Sequence, residues 1–228
     1  MKPIYKFFCK LHRIAAFSIL MVLASGCRSG IKEKKAHPAP PPPVANYVTT
    51  IDGKPCTGWE ITNFGPQGPV HVSGDMVIIG MGDGCTGITW KSEFPVMNYE
   101  VSLDAKRVNG NDFFCGMTFP VRKEYCTLIV GGWGGTVVGL SSVDGKDTSE
   151  NSTRTLMRFE NEHWYHIRLA VTGSDISAWI DSLRVININT EGRKFSVRPE
   201  VELSEPFGIA TWNTTAAIKN IEVSRLNE

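Results

Sequence analysis

The stretch His163 to Val185, HWYHIRLAVTGSDISAWIDSLRV, alternates apolar and polar residues, and no other feature constrains the fold as tightly. Tyr165, Ile167, Leu169 and Val171 share one parity, against Trp164, His166 and Arg168; Ile176, Ala178 and Ile180 repeat the pattern against Ser177, Trp179 and Asp181. A period of two is the strand repeat, in which successive side chains point to opposite faces. Between the runs lies Gly173-Ser174, a two-residue loop with glycine first that suits a type II′ turn. The register follows: Val171 opposite Ile176, Leu169 opposite Ala178, Ile167 opposite Ile180. The back face then pairs Arg168 with Trp179 and brings His166 near Asp181. A second tight turn at Asp181-Ser182 sets Arg184 on the other side of Trp179. The result is a three-stranded meander with one dry face and a wet row of arginine, tryptophan and arginine.

The rest of the chain is built alike. Runs such as MVIIG, NYEVSLDAKRV, DFFCGMTF, YCTLIV, RVININ, FGIATW and AIKNIEV are strand-like, glycine and proline separate them, and nothing reads as a helix of three turns. Twelve or more short strands joined by tight turns specify an all-β protein. A β-sandwich is favoured over an up-and-down barrel because the strand spacing is uneven. Residues 47–228 provide enough chain for one domain with a sizeable core.

Residues 1–26 read as a signal peptide. Lys2, Lys6, Lys10 and Arg13 precede an apolar run from Ile14 to Leu23 that is too short to span a bilayer, and small residues follow. The string LASGC resembles a bacterial lipobox, which makes Cys27 the lipidated residue; the alternative is an ordinary signal peptide cut near Gly26. Arg28, where an aspartate would resemble an inner-membrane retention signal, leans the expectation towards the outer membrane. Residues 27–46, with their proline run, read as an extended tether. Four of the 24 basic residues and none of the 23 acidic ones lie in residues 1–26, so the mature chain carries about −3, with no basic patch for nucleic acid.

Four cysteines remain in the domain, Cys56, Cys85, Cys115 and Cys126, in an oxidising compartment. Cys115 and Cys126 flank a short connection and form the disulfide candidate, with free buried cysteine as the other reading. The spacings do not suit zinc. No cofactor is required by the sequence. The loop DGKDTSEN gathers Asp144, Asp147 and Glu150, oxygen ligands that calcium or another divalent cation would suit, although the EF-hand spacing is lacking and a solvated polar loop is the plainer reading.

Four segments in order, GWEITNFG, NYEVSLDAKRVNGNDFFCGMTFP, RFENEHWYHIRLAV and GIATWNTTAAIKNIEV, resemble the family known as DUF1080, the 3-keto-disaccharide hydrolase domain, from Thr57 to Val223. The resemblance implies a concanavalin-like, laminin-G-like jelly roll whose concave sheet receives a sugar. It also implies a chemistry: a ketone at C3 acidifies the C2 hydrogen, and the resulting enolate expels the C1 substituent. Such a site needs a base, an oxyanion stabiliser (a metal or an arginine) and a proton donor. Members carry polar groups in a central strand resembling Y-E-x-Q-x-x-D and in a late strand resembling G-L-Q-D-H-G. Here those places read YCTLIVGGWGG, with Cys126, Leu128 and Gly131, and GIATWNT, with Trp212 and Asn213.

Candidate catalytic residues are therefore sought elsewhere: Asp112 beside a turn, Glu160, and His166 with Asp181 as the expected ring partner. Arg158 shares a face with Glu160 and suits sugar hydroxyls, with a surface ion pair as the plainer role. Trp133, flanked by four glycines, and Trp212 are candidate stacking platforms alongside Asn213. Three classes of function stay open: an envelope hydrolase or lyase acting on oxidised glycosides, a non-catalytic glycan-binding lipoprotein, and a structural envelope protein that contacts other proteins. In the first two the partner is carbohydrate, and in all three the membrane is met only through the lipid anchor.

Overall fold

The computed structural model describes residues 43–227; the segments read above as signal peptide and, up to residue 42, as tether, with Cys27 among them, lie outside the described residues. Sixteen strands follow in chain order. The first eight are β1 (Thr49–Ile51), β2 (Lys54–Cys56), β3 (Trp59–Ile61), β4 (Val70–Ser73), β5 (Met76–Ile79), β6 (Cys85–Trp90), β7 (Tyr99–Gly110) and β8 (Cys115–Val121). The second eight are β9 (Glu124–Gly131), β10 (Val137–Ser141), β11 (Thr155–Leu156), β12 (Tyr165–Val171), β13 (Asp175–Ile180), β14 (Leu183–Asn189), β15 (Phe207–Trp212) and β16 (Thr214–Arg225). They form two sheets packed as a sandwich. One has nine strands, ordered β14-β13-β12-β7-β16-β1-β2, with β5 and β4 added on β16; the other has seven, ordered β11-β10-β9-β8-β15-β6-β3. No helix among the described residues is long and apolar enough to cross a membrane.

The meander has the expected register. Val171 pairs with Ile176, Leu169 with Ala178, Ile167 with Ile180 and Arg168 with Trp179, and β14 sets Arg184 on the other side of Trp179. Arg168 stacks its guanidinium 4.1 Å from the Trp179 ring centre. The turn type differs: Gly173 lacks the positive φ of a type II′ turn. The loop is closed by the Thr172 N–H donating to the Asp175 carbonyl at 2.9 Å, so the loop length and the apolar faces set the register without that turn.

The two sheets differ in what covers their outer faces. In β7, buried Tyr99, Val101, Leu103 and Ala105 alternate with half-exposed Glu100, Ser102, Asp104 and Lys106, one dry face and one wet. In β6 and β8 every residue is buried. Ile88, Met117, Phe119, Leu128 and Ile209 fill the core between the sheets. A second, smaller apolar cluster of Cys85, Phe113, Ile129, Val201 and Ala210 lies outside the seven-stranded sheet. Its cover is the segment Val197–Ser204, which ends in a 3-10 helix from Pro199 to Ser204. Gly208 permits that cover, since a Cβ there would stand 2.7 Å from the Ser204 carbonyl oxygen; Thr89 fixes it by donating its hydroxyl to the Leu203 carbonyl at 3.1 Å.

The disulfide candidate is corrected. Cys115 lies opposite Val130, and Cys126 lies opposite Phe119. The two are four residues out of register, about 13 Å along the sheet at ~3.3 Å per residue, beyond the ~7 Å reach of a disulfide between Cα atoms. All four domain cysteines are free. Cys85, Cys115 and Cys126 are buried, and burial pushes each thiol up to about 12, so none is poised as a nucleophile.

Candidate functional site

The outer face of the seven-stranded sheet carries a cleft of about 250 Å³. Its floor is Thr127, Ile129 and Ser141, from β9 and β10; Asp112, Phe113, Trp133 and Trp212 gather at one end, where the Trp212 N–H donates to the Phe113 carbonyl at 3.1 Å, and Arg198, Glu200 and Val201 form the far wall. The floor is available because small residues occupy the outward positions around it. Thr127 spends its hydroxyl on Thr118 at 3.0 Å, and Gly139 leaves no room for a Cβ beneath Thr148 and Thr153.

The GGWGG segment makes the end wall. Gly131, Trp133, Gly134 and Gly135 all have positive φ, and Trp133 sits at φ 48°, ψ 56°. A run of left-handed residues needs glycine at almost every place. Closing the turn needs it too, since a Cβ on Gly135 would stand 2.8 Å from Nη1 of buried Arg107. The tryptophan held in the middle is 41% exposed, so the turn presents the indole rather than burying it. Asp112 supports the turn from the cleft side: its Oδ1 accepts the Phe113 N–H at 2.7 Å and its Oδ2 the Gly134 N–H at 3.3 Å.

The far wall is an ion-pair network. Arg198 donates Nη2–H to Glu200 at 2.8 Å and Nη1–H to Asp147 at 2.8 Å. The bond to Glu200 is the chief reason that the guanidinium is raised above its ordinary value, and the bond from Arg198 is the chief reason that Glu200 lies below its ordinary 4.5. The cation is thus neutralised twice. Because the folded pKa of Glu200 is depressed, its contribution is fully present above 4.5 and lost as pH falls through the lower folded value. Thermal melts from pH 7 to pH 3 should therefore show a smaller acid-induced fall in Arg198→Ala than in the parent, since the pair is already gone; an equal fall in both would show that the pair adds nothing to acid stability.

Of the sequence candidates, Asp112, Trp133 and Trp212 converge on the cleft. Asn213 stands at its edge with Oδ1 accepting the Gly84 N–H at 2.8 Å. Arg158 and Glu160 are exposed, do not line the cleft, and enter no ion pair with each other. His166 lies on the outer face of the nine-stranded sheet, with both sheets between it and the cleft. Its ring contacts Asp104, with Nδ1 2.8 Å from Oδ1; Asp181, the expected partner, instead accepts the backbone N–H of His166 at 2.9 Å. The cross-strand neighbour in β7 is closer to the ring than the hairpin end. His166 and Glu160 are therefore not part of a common site with Asp112.

The cation loop is corrected as well. Asp144 is held by Arg193 at 2.6 Å and by the Lys194 N–H at 3.0 Å. Asp147 accepts from Ser149 and Arg198, and Glu150 is exposed. Asn151 organises the loop, giving Nδ2–H to the carbonyls of Leu140 and Asp147 and accepting from Thr153. No group of three or more His, Cys, Asp or Glu side chains among the described residues could hold a metal ion, so these carboxylates do not fit one.

Arg198, Glu200 and Ser141 are absent from the sequence-derived set. The signal for Arg198 and Glu200 is SVRPEVELSEPFG, a charged, proline-bounded segment lying between two strands, whereas Ser141 carries none.

Residues 46–224 match the 3-keto-alpha-glucoside-1,2-lyase-like domain. The chain belongs to that family. Cys126 and Leu128 face the core, and the neighbours that face the cleft are Thr127 and Ile129. No curated protein matches the chain. Among solved structures, the apo Crh5 transglycosylase is similar at 14% identity and a TM-score of 0.53, over 82% of this chain and 87% of that one. A structure from work on endo-acting O-glycanases of human gut microbiota is similar at 10% identity and a TM-score of 0.51, over 74% and 92%. A CBM66 carbohydrate-binding module from Bacillus subtilis has 17% identity and a TM-score of 0.48, over 73% and 95%. At such identities the transglycosylase and the O-glycanase-related structure show a shared fold, the concanavalin-like jelly roll. The chain is thus a member of this lyase-like family built on a fold shared with the transglycosylase and the O-glycanase-related structure.

Proposed function

We propose that this protein is a lipid-anchored bacterial envelope protein, held through Cys27 at the outer membrane, that binds a glycoside ring against Trp133 and Trp212. The observation that carries the reading is the gathering of two indoles and several polar groups along one cleft. Sugars offer apolar C–H faces to aromatic rings and hydroxyls at their edges, and a cleft lined by both aromatic rings and polar groups complements both.

One observation favours catalysis as a second reading: Asp112 is the member of the catalytic candidates that faces the cleft. On a 3-keto-α-glucoside its carboxylate would take the C2 proton. The electrons of that C–H bond form the enolate, which re-forms the C3 ketone, makes the C1–C2 double bond and breaks the C1–O bond. The proton on Asp112 balances the one needed by the departing oxygen. The test is the full-length protein in detergent with methyl 3-keto-α-glucoside and methyl α-glucoside, read by tryptophan fluorescence and methanol release. Binding of either with no methanol supports the recognition reading, and methanol from the keto sugar alone supports the lyase reading. Silence towards both would remove the sugar site.

A further inference from the structure

We propose that Ser141 reads a ring hydroxyl of the bound sugar, and that the cleft selects an uncharged ring over one bearing a carboxylate. This rests on the reading of the cleft as a glycoside site and deepens it.

Ser141 ends β10 and is 1% exposed. Val138 and Leu140 in the same strand point into the core, so the alternation turns Ser141 outward to the floor of the cleft. Among the buried side-chain polar atoms that have no hydrogen-bond partner in the described residues, Ser141 Oγ is the one that lines the cleft. The contrast with Thr127 beside it is informative, because that hydroxyl is satisfied by Thr118. A buried hydroxyl without a partner destabilises the fold that contains it. Its position at the bottom of a cleft lined by two indoles gives it a use: a ring hydroxyl can donate to it and accept from it.

The charges decide which sugar. Asp112 and Glu200 both face the cleft, and the one cation lining it among the described residues, Arg198, is already bonded to Glu200 and Asp147. A uronate carboxylate would meet two anions and a cation already paired with Glu200 and Asp147 through three of its five donors, in a cleft walled partly by apolar groups. An uncharged ring meets no such opposition.

The experiment compares the full-length parent with Ser141→Ala in two measurements. The first is the melting temperature without sugar. The second is affinity for methyl α-glucoside, methyl 3-keto-α-glucoside and methyl α-glucuronide by tryptophan fluorescence. Expected are an unchanged or higher melting temperature in Ser141→Ala and an affinity for the two uncharged glycosides about tenfold weaker. In the parent, both should bind about tenfold or more tightly than the glucuronide, the gap narrowing as salt is added. A lowered melting temperature would show that the hydroxyl is used by the fold, and an unchanged affinity that it is not used by the sugar; either overturns the role of Ser141. A glucuronide bound as tightly as the glucosides overturns the charge selection. Binding of none of the three by the parent overturns the glycoside site itself, an outcome distinct from binding that Ser141→Ala leaves untouched.

Discussion

Trp133→Gly is expected to remove most of the glycoside affinity while changing the stability of the fold little. Two opposed effects meet there. At φ 48° and ψ 56° a tryptophan occupies the left-handed region, which costs a residue with a Cβ roughly 1–2 kcal/mol. Glycine adopts it without that penalty, but an indole that is 41% exposed still buries more than half of its surface, on the order of 100 Å² and roughly 2–3 kcal/mol. The net loss should be about 1 kcal/mol, a fall of roughly 2–4 °C in melting temperature for a domain of this size. Binding should fall further. Ring-on-ring contacts are worth about 0.5–1.5 kcal/mol beyond the area they bury, so losing one platform should weaken binding about tenfold or more. Trp212→Ala should lose a similar amount of affinity and more stability, because Trp212 is half-buried against the outer apolar cluster and relieves no strain when removed. The checks are a thermal melt and a titration with methyl α-glucoside on each variant. A Trp133→Gly protein that binds as the parent does would show the indole to be a bystander. Strain kept at a position where glycine would relieve it is the mark of a side chain retained for use.

Ser141 belongs to the same pattern. The cleft concentrates features that local rules disfavour: a left-handed tryptophan and an unpartnered buried hydroxyl. In β7 the alternation of dry and wet holds from Tyr99 to Lys106. Left-handed non-glycine residues and unpartnered buried atoms occur elsewhere too, at Asn220 and Arg107 among others; the cleft is where one of each lines the same space, as a functional site on a largely consistent scaffold should.

That division also explains what could be read from the sequence. The hairpin between Tyr165 and Ile180 is legible to the residue because period-two patterning and a short loop leave one register that buries Ile167, Leu169, Val171, Ile176, Ala178 and Ile180; beyond it a bulge between Ala178 and Trp179 shifts the pairing with β14 and Leu183 stays exposed. Trp133 is legible because four flanking glycines have few structural explanations. Other features depend on contacts distant in sequence. The partner of His166 is Asp104, 62 residues away, and a hairpin read alone offers only Asp181. Cys115 and Cys126 look bridgeable while their connection is treated as a loop of unknown geometry. Once β8 and β9 form a tight hairpin around Arg122 and Lys123, the register separates them. The wall of Arg198, Glu200 and Val201 is the least legible part, because it is irregular chain whose place over Ile129 and Ala210 is set by the tertiary fold.

The second large effect lies on the inner face of the same sheet. Trp59 is fully buried in β3, a strand of three residues, and three contacts hold it. Its Nε1–H donates to the Thr49 hydroxyl at 2.7 Å. Its ring meets Trp90 edge-on at 5.4 Å and tilts against Phe207 at 5.5 Å. Removing a buried tryptophan costs about 3–5 kcal/mol, against a total stability of roughly 5–15 kcal/mol. Trp59→Ala should therefore lower the melting temperature by roughly 6–20 °C. Trp59→Phe should lose less, because it keeps most of the apolar area and strands only the buried Thr49 hydroxyl, about 1–3 kcal/mol. The consequence reaches the cleft, because Phe207 begins β15 and Trp212 ends it. If β15 moves as a rigid strand when its inner support is lost, folded Trp59→Ala at low temperature should bind methyl α-glucoside more weakly than the parent, whereas Trp59→Phe should bind equally well. Undiminished binding by folded Trp59→Ala would show that the outer cluster of Cys85, Ile129, Val201 and Ala210 holds Trp212 in place without help from the core.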